Sequence, residues 1–333
     1  MSTSPSIPHD FLKKLAPGYR EFVEANPSRL PSLHGAPWSP AFRQPLPGGP
    51  PDMGAEPPIP VGSQSTIDLG NFSLQVMVPD GEKPAAGWPA VLFIHGGGWV
   101  FGDAAMDNGL LSRMCMGAKC VVVSVEYRLA PEHVYPAALN DSWESLLWLY
   151  RNGAEHLAID PTRIALMGTS AGSSLAAIVA QRASLNSPRI PIKLQVLLVP
   201  VIDASFTAED RSRWTQSMVE YEDNFSLPVL NMFWLRDKYL PDPKDRTHPE
   251  ASPNYQENQV AFSGMPSTLI AVAELDSLRS DGELYAQKLE QYGVPVTVKV
   301  LKGITHMAVR ADRVCETARV FRDELIEFVK SNL

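Results

Sequence analysis

The 333-residue sequence predicts an α/β fold, an eight-stranded and mostly parallel sheet flanked by helices and roofed by a helical cap. Three observations carry this expectation. Short apolar runs recur from about residue 63 onward, helix-length segments alternate with them, and two glycine-rich turns each follow directly on a run. Most of these runs are continuous rather than alternating, as strands buried on both faces require.

Taken in order, the elements begin irregularly. Fourteen of the 30 prolines fall within the first 60 residues, which excludes regular sheet or one long helix throughout that stretch. Residues 10–25 read as an amphipathic helix broken at Pro17-Gly18, and 27–60 as an extended connection. The aromatics Phe11, Tyr19, Phe22, Trp38 and Phe42 indicate a segment laid across the body of the protein. Segments 65–69 and 72–78 alternate around Gly70-Asn71 and read as a hairpin. Buried strands are expected at 90–94, 121–125, 164–167, 194–199, 268–272 and 296–300. Helices are expected at 107–118, 136–151, 171–184, 280–292 and 312–330. One long gap between the strands ending at 199 and starting at 268 holds helix-like stretches at 209–222 and 226–240, rich in aromatics and methionine. The domain reading is therefore a cap from residues 1–60 and 203–260, and an α/β domain from 61–202 and 261–333.

A net charge of −8 argues against nucleic acid as a partner. No run approaches the roughly 18 apolar residues of a membrane helix. The start of the chain lacks the basic and apolar run of a secretory signal. Three cysteines, Cys115, Cys120 and Cys315, form no even framework and have no neighbouring histidines, so neither a disulfide scaffold nor a metal site is expected. A cytoplasmic setting follows, with Ser331-Asn332-Leu333 as a faint peroxisomal alternative. Asn71-Phe72-Ser73 and Asn224-Phe225-Ser226 match a glycosylation pattern, which reads as chance without a secretory signal.

The chemistry lies in four places. Gly168-Thr169-Ser170-Ala171-Gly172 follows a strand and opens an Ala-rich helix, the context in which a G-x-S-x-G turn exposes a nucleophilic hydroxyl. His95-Gly96-Gly97-Gly98-Trp99 follows another strand, and its bare backbone offers amides for a developing oxyanion. Gly97, Gly98 and Ala171 are the candidate donors, with His95 bracing the loop. If the acid and base follow the serine, His306 is the only histidine in the last quarter of the chain. Asp276, past the strand at 268–272, is the first candidate acid, and Asp203 the second. Trp99, Phe101 and Thr169 are candidate pocket residues.

Together with Tyr127-Arg-Leu-Ala-Pro-Glu132, Asp276-x-Leu-Arg and Gly303-x-x-His306, these motifs occur in the order seen in the hormone-sensitive lipase family of carboxylesterases, which residues 60–333 resemble. The resemblance implies an α/β-hydrolase core, a cap from the N-terminus and the insertion, short acyl-ester substrates and no cofactor. Thr169 stands where the family commonly has Asp, and Ser173 where a second Gly is frequent. The Thr form resembles fungal tailoring esterases such as versiconal hemiacetal acetate esterase. The expected activity is hydrolysis of a small, fairly hydrophobic ester through Ser170, His306 and Asp276. The alternatives are a lyase, acyltransferase or amidase using the same groups, or a receptor on the same fold. The expected partner is the small-molecule ester, with a homodimer as the assembly the reading allows.

Overall fold

The computed structural model describes residues 7–26, 33–44 and 52–333; the remainder of the expected 27–60 connection lies outside the described residues. Eight strands form one sheet: β1 (Ser63–Asp68), β2 (Ser73–Val78), β3 (Trp88–Ile94), β4 (Val121–Glu126), β5 (Ile159–Thr169), β6 (Leu194–Leu198), β7 (Ser267–Ala273) and β8 (Val296–Leu301). Their spatial order is β1-β2-β4-β3-β5-β6-β7-β8. β1 and β2 are antiparallel and β2 runs antiparallel to β4, while every pair from β4 to β8 is parallel.

Helices α1 (His9–Leu12) and α2 (Pro17–Ala25) precede the sheet, and α3 (Asn108–Ala118), α4 (Ala137–Leu157) and α5 (Ala171–Leu185) connect its first parallel strands. The insertion holds α6 (Gln216–Glu220), α7 (Val229–Tyr239) and α8 (Gln259–Phe262); α9 (Arg279–Gln291) and α10 (Glu316–Asn332) complete the body. Successive residues of β3 point to opposite faces, as the pleat demands. Leu92 and Ile94 enter one core with side chains of α4, α5 and α9, whereas Val91 and Phe93 enter the other with α3 and α10. Thirteen of the 15 residues of α5 are buried, so this helix lies inside the molecule rather than on its surface.

Three expectations shift. Pro17 is the first residue of α2, so it starts a helix rather than interrupting one, as its fixed φ and missing N–H favour. The helix expected over 209–222 shrinks to α6, preceded by a 3-10 turn at Arg211–Arg213. Here the Trp214 indole N–H donates to the Thr207 carbonyl, and Thr215 caps α6 at Met218, so tertiary and capping bonds replace helical ones. The last helix starts at Glu316, because 306–310 forms a 3-10 turn.

The chain reverses its direction of travel across the sheet between β4 and β5, leaving β3 flanked by both. Clefts at the carboxyl ends of strands open at such switch points. All three cysteines are buried and free. Among the described residues no helix is long and apolar enough to cross a membrane, and no cluster of three metal-ligating side chains occurs.

Candidate active site

The tight turn between β5 and α5 holds Ser170 at φ 54°, ψ −120°, outside the regions a side chain ordinarily occupies. Such a conformation costs on the order of 1–3 kcal/mol and persists only where its surroundings impose it. They do so here by close packing. A Cβ on Gly172 would lie 2.0 Å from the Ile94 carbonyl oxygen, and one on Gly168 would lie 2.3 Å from the Gly172 carbonyl oxygen. The Ser170 amide donates to the Leu198 carbonyl at 2.8 Å. Ser173 closes the turn from below, its hydroxyl reaching Gly168 O at 2.7 Å and Leu198 O at 3.0 Å. The departure from glycine at 173 thus adds a brace.

Ile94 and Gly168 are paired in adjacent parallel strands, so the glycine loop after β3 emerges beside the serine. Gly97 has φ 110° and Gly98 φ 62°. A Cβ on Gly97 would meet the Phe101 carbonyl oxygen at 2.1 Å. Among the described residues no protein acceptor takes the amides of Gly97, Gly98 or Ala171, and both glycines line the cavity next to Ser170. His95 does brace this loop. It is fully buried, stacks on Tyr127 at 4.1 Å and donates from Nδ1 to the Gly96 carbonyl at 2.7 Å. Burial pushes its pKa down to about 4, so the ring is neutral at ordinary pH. Tyr127 in turn donates to His95 O at 3.0 Å, while Arg128 forks onto Asp141 and Glu132 meets Arg43. The Tyr127–Glu132 stretch is architectural.

The structure brings the three sequence-predicted chemical groups together. His306 Nε2 lies 2.9 Å from Ser170 Oγ, and His306 Nδ1 lies 2.7 Å from Asp276 Oδ2. Asp276 is 1 % exposed and His306 4 %, so water does not compete for these bonds. Since a carboxylate only accepts, Nδ1 carries the proton and Nε2 is left to face the hydroxyl. Asp203, the second candidate acid, accepts instead from the Ser205 amide within its own loop.

A cavity of about 200 Å³ opens onto Ser170 and His306. Its walls are largely apolar, with Trp99, Phe101, Leu227, Met232 and Leu235 among them. The roof is shared by two distant parts of the chain. The Asn231 side chain on α7 accepts from the Leu33 amide at 2.8 Å, the Trp234 indole donates to Ala36 O at 2.8 Å, and Trp38 packs against Phe42, Phe101 and Trp234. Trp99 is mostly buried and stacks on Tyr239 at 4.9 Å, so it is as much core as lining. A smaller cavity of about 50 Å³ meets the first at Met106, Thr169, Val309 and Arg310. Thr169 is buried, and among the described residues its hydroxyl has no partner. Arg310 is tied to the buried Asp107 at 2.7 Å, a pair that composition and motif alone do not signal.

A family model described as alpha/beta hydrolase fold matches residues 91–310. The chain belongs to the α/β-hydrolase family. It is 39% identical over 251 residues to an AB hydrolase superfamily protein of Schizosaccharomyces pombe, covering 75% of this chain and 72% of that one. It is 34% identical over 256 residues to an ethyl acetate hydrolase of Pseudomonas putida, covering 77% of each chain. A solved esterase of Pyrobaculum calidifontis superposes with a TM-score of 0.75 at 32% identity, over 84% of this chain and 87% of the other. The resemblance to carboxylesterases drawn from the motifs is borne out by this α/β-hydrolase's relatives.

Proposed function

We propose that this α/β-hydrolase is a serine carboxylesterase that cleaves small, fairly hydrophobic short-acyl esters at Ser170. His306 Nε2 takes the hydroxyl proton as Oγ bonds to the ester carbonyl carbon. The negative charge moves to the carbonyl oxygen, held by the amides of Gly97, Gly98 and Ala171. When the tetrahedral intermediate collapses, the carbon–alkoxy bond breaks and the alcohol departs with the proton from His306. Water then attacks the acyl-enzyme, gives its proton to His306, and the acid leaves as Ser170 recovers its own. Asp276 holds the imidazole in the required tautomer and stabilises its cation, without taking the proton itself.

The observation that carries this reading is the unbroken chain from Ser170 Oγ through His306 to Asp276, opening into an apolar cavity beside unpaired glycine amides. The size of that cavity and its apolar walls support an uncharged, compact substrate. The relative named as an ethyl acetate hydrolase points the same way. Residues 203–260 and the described parts of residues 1–60 serve as the cap, supported by the joint roof of the Leu33–Phe42 stretch and α7. Thr169, with its free hydroxyl between the two cavities, shapes which chains fit. The three free cysteines support a reducing, cytoplasmic setting. β8 ends the sheet, and its open edge supports a homodimer, which sedimentation velocity checks.

Hydrolysis of p-nitrophenyl esters from acetate to laurate by the wild type and Ser170→Ala tests the reading. Activity is expected to peak at short chains and to vanish in the variant. A variant that keeps the wild-type rate ends the assignment of Ser170.

A further inference from the structure

The Asn224-Phe225-Ser226 stretch matches a glycosylation pattern, yet its asparagine is 3 % exposed and its serine 4 %, so no transferase can reach it as folded. Both polar side chains point inward, to the two loops that carry the acid and the base. Asn224 Nδ2 donates to the carbonyl of Leu275, the residue before Asp276. Its Oδ1 accepts from the Ser226 amide at 2.8 Å, fixing the two in one turn. Ser226 Oγ accepts at 3.0 Å from the amide of Met307, the residue after His306. On the far side of Asp276, Ser277 Oγ donates to Leu227 O at 3.2 Å, and Ser217 Oγ donates to Ser277 O at 2.8 Å.

We propose that Asn224 and Ser226 are positioning residues for the hydrolytic reaction, a clamp from the insertion that holds the Asp276 loop and the His306 turn in register. The inference rests on the hydrolase reading above. Its physical ground is that neither Asp276 nor His306 stands within a strand or an α-helix. Asp276 lies three residues beyond β7, and His306 opens a 3-10 turn. The two loops also meet directly, the Leu275 amide donating to Ile304 O at 3.0 Å. The clamp therefore sets the orientation of a pair already in contact. Hydrogen bonds of 2.7 and 2.9 Å in series leave little tolerance, and a misplacement of about 1 Å in such a site costs on the order of 10²-fold in rate. Outer partners that orient a reacting group matter for the same reason that supporting shells do around metal ligands.

The test uses the full chain with Ser226→Ala and Asn224→Ala, and Arg211→Ala as an insertion variant whose side chain bonds to neither loop. Arg211 is an exposed partner of Glu222. Loss of either clamp bond is expected to lower kcat by about tenfold while KM stays within about twofold, since neither clamp side chain lines the apolar pocket. Arg211→Ala is expected to match the wild type. The far-downfield NMR resonance of the His306 Nδ1 proton is the second readout, expected to broaden or shift in both clamp variants and to stay put in Arg211→Ala. Wild-type kcat in both folded clamp variants, or a rise in KM alone, overturns the clamp. A wild type inert toward every ester defeats the hydrolase reading instead. The clamp is then judged by the resonance, and an unchanged resonance in both variants overturns it.

Discussion

The proposed nucleophile and its two partners are held by opposite means. Ser170 is placed by its immediate neighbours, with Gly168 before it, Gly172 and Ser173 after it, and β3 pressed against the turn. Asp276 and His306 sit on loops whose anchors come from far along the chain. Ser226 is 81 residues from Met307, and Tyr19, whose hydroxyl lies 3.0 Å from Thr305 Oγ1, is 286 residues from its partner. The first arrangement is rigid because strand, turn and helix leave no room. The second is rigid only while the N-terminal helices and the insertion stay docked. Local sequence change therefore endangers the serine, and distant change endangers Asp276 and His306.

The sharpest break in this comparison is His306→Ala. It removes the proposed base while leaving the elbow's own contacts intact, so turnover is expected to fall by roughly 10⁴-fold or more with the thermal midpoint within a few degrees. A midpoint collapse would show that the histidine also holds the fold. Gly97→Ala comes next. Its Cβ would collide with the Phe101 carbonyl oxygen, so the loop must shift and one amide donor with it. A loss of about 10²–10³ in kcat is expected, the cost of removing such a donor. Retention of the wild-type rate would take Gly97 out of the oxyanion site.

Tyr19→Phe deletes a single buried hydroxyl on α2, which reaches Thr305, the residue before His306, whereas the insertion's clamp reaches Met307, the residue after it. A drop of up to about fivefold in kcat, with unchanged KM, is expected from a bond worth roughly 1 kcal/mol. No change would mean that Thr305 is held well enough by the backbone around it. The smallest effect concerns Asp281, whose Oδ2 accepts from the Ile202 amide at 2.8 Å. Burial, followed by the charge of Asp203, pushes its pKa up to about 8. An unfolded aspartate ionises near pH 4, so from about pH 4 to 8 the unfolded chain releases a proton the folded chain keeps, and stability falls as pH rises. Asp281→Asn keeps the acceptor oxygen and removes the penalty. It is expected to gain about 2 °C in thermal midpoint over the wild type between pH 5 and pH 8. Parallel melting profiles would place the proton elsewhere.

The same contrast explains what could be read beforehand. The serine turn was legible because its constraints are local: two glycines at fixed offsets, an apolar strand before and an Ala-rich helix after. The glycine loop was legible for the same reason, and so were the eight strands, most of them continuous apolar runs. His306 followed from chain order and Asp276 from a strand end, yet Asp203 also stood at a strand end. Only the packing of β7 beside β8 brings one of them to the imidazole. Asn224, Ser226 and Tyr19 had no local signal, because their partners lie in other parts of the fold. α6 was overextended because helical periodicity at 209–222 says nothing of the Trp214 and Thr215 bonds that shorten it.

The burial of α5 has an electrostatic consequence. Its peptide dipoles align toward an N-terminus that begins at the residue after Ser170, and no acidic side chain stands in the first turn to offset the partial positive charge there. Solvent, which weakens such fields at the surface, is excluded from almost the whole length of this helix. The resting protein thus carries an uncompensated positive pole at Ser170. In the proposed reaction, the charge that completes it is the one the substrate's oxygen acquires as the ester is attacked.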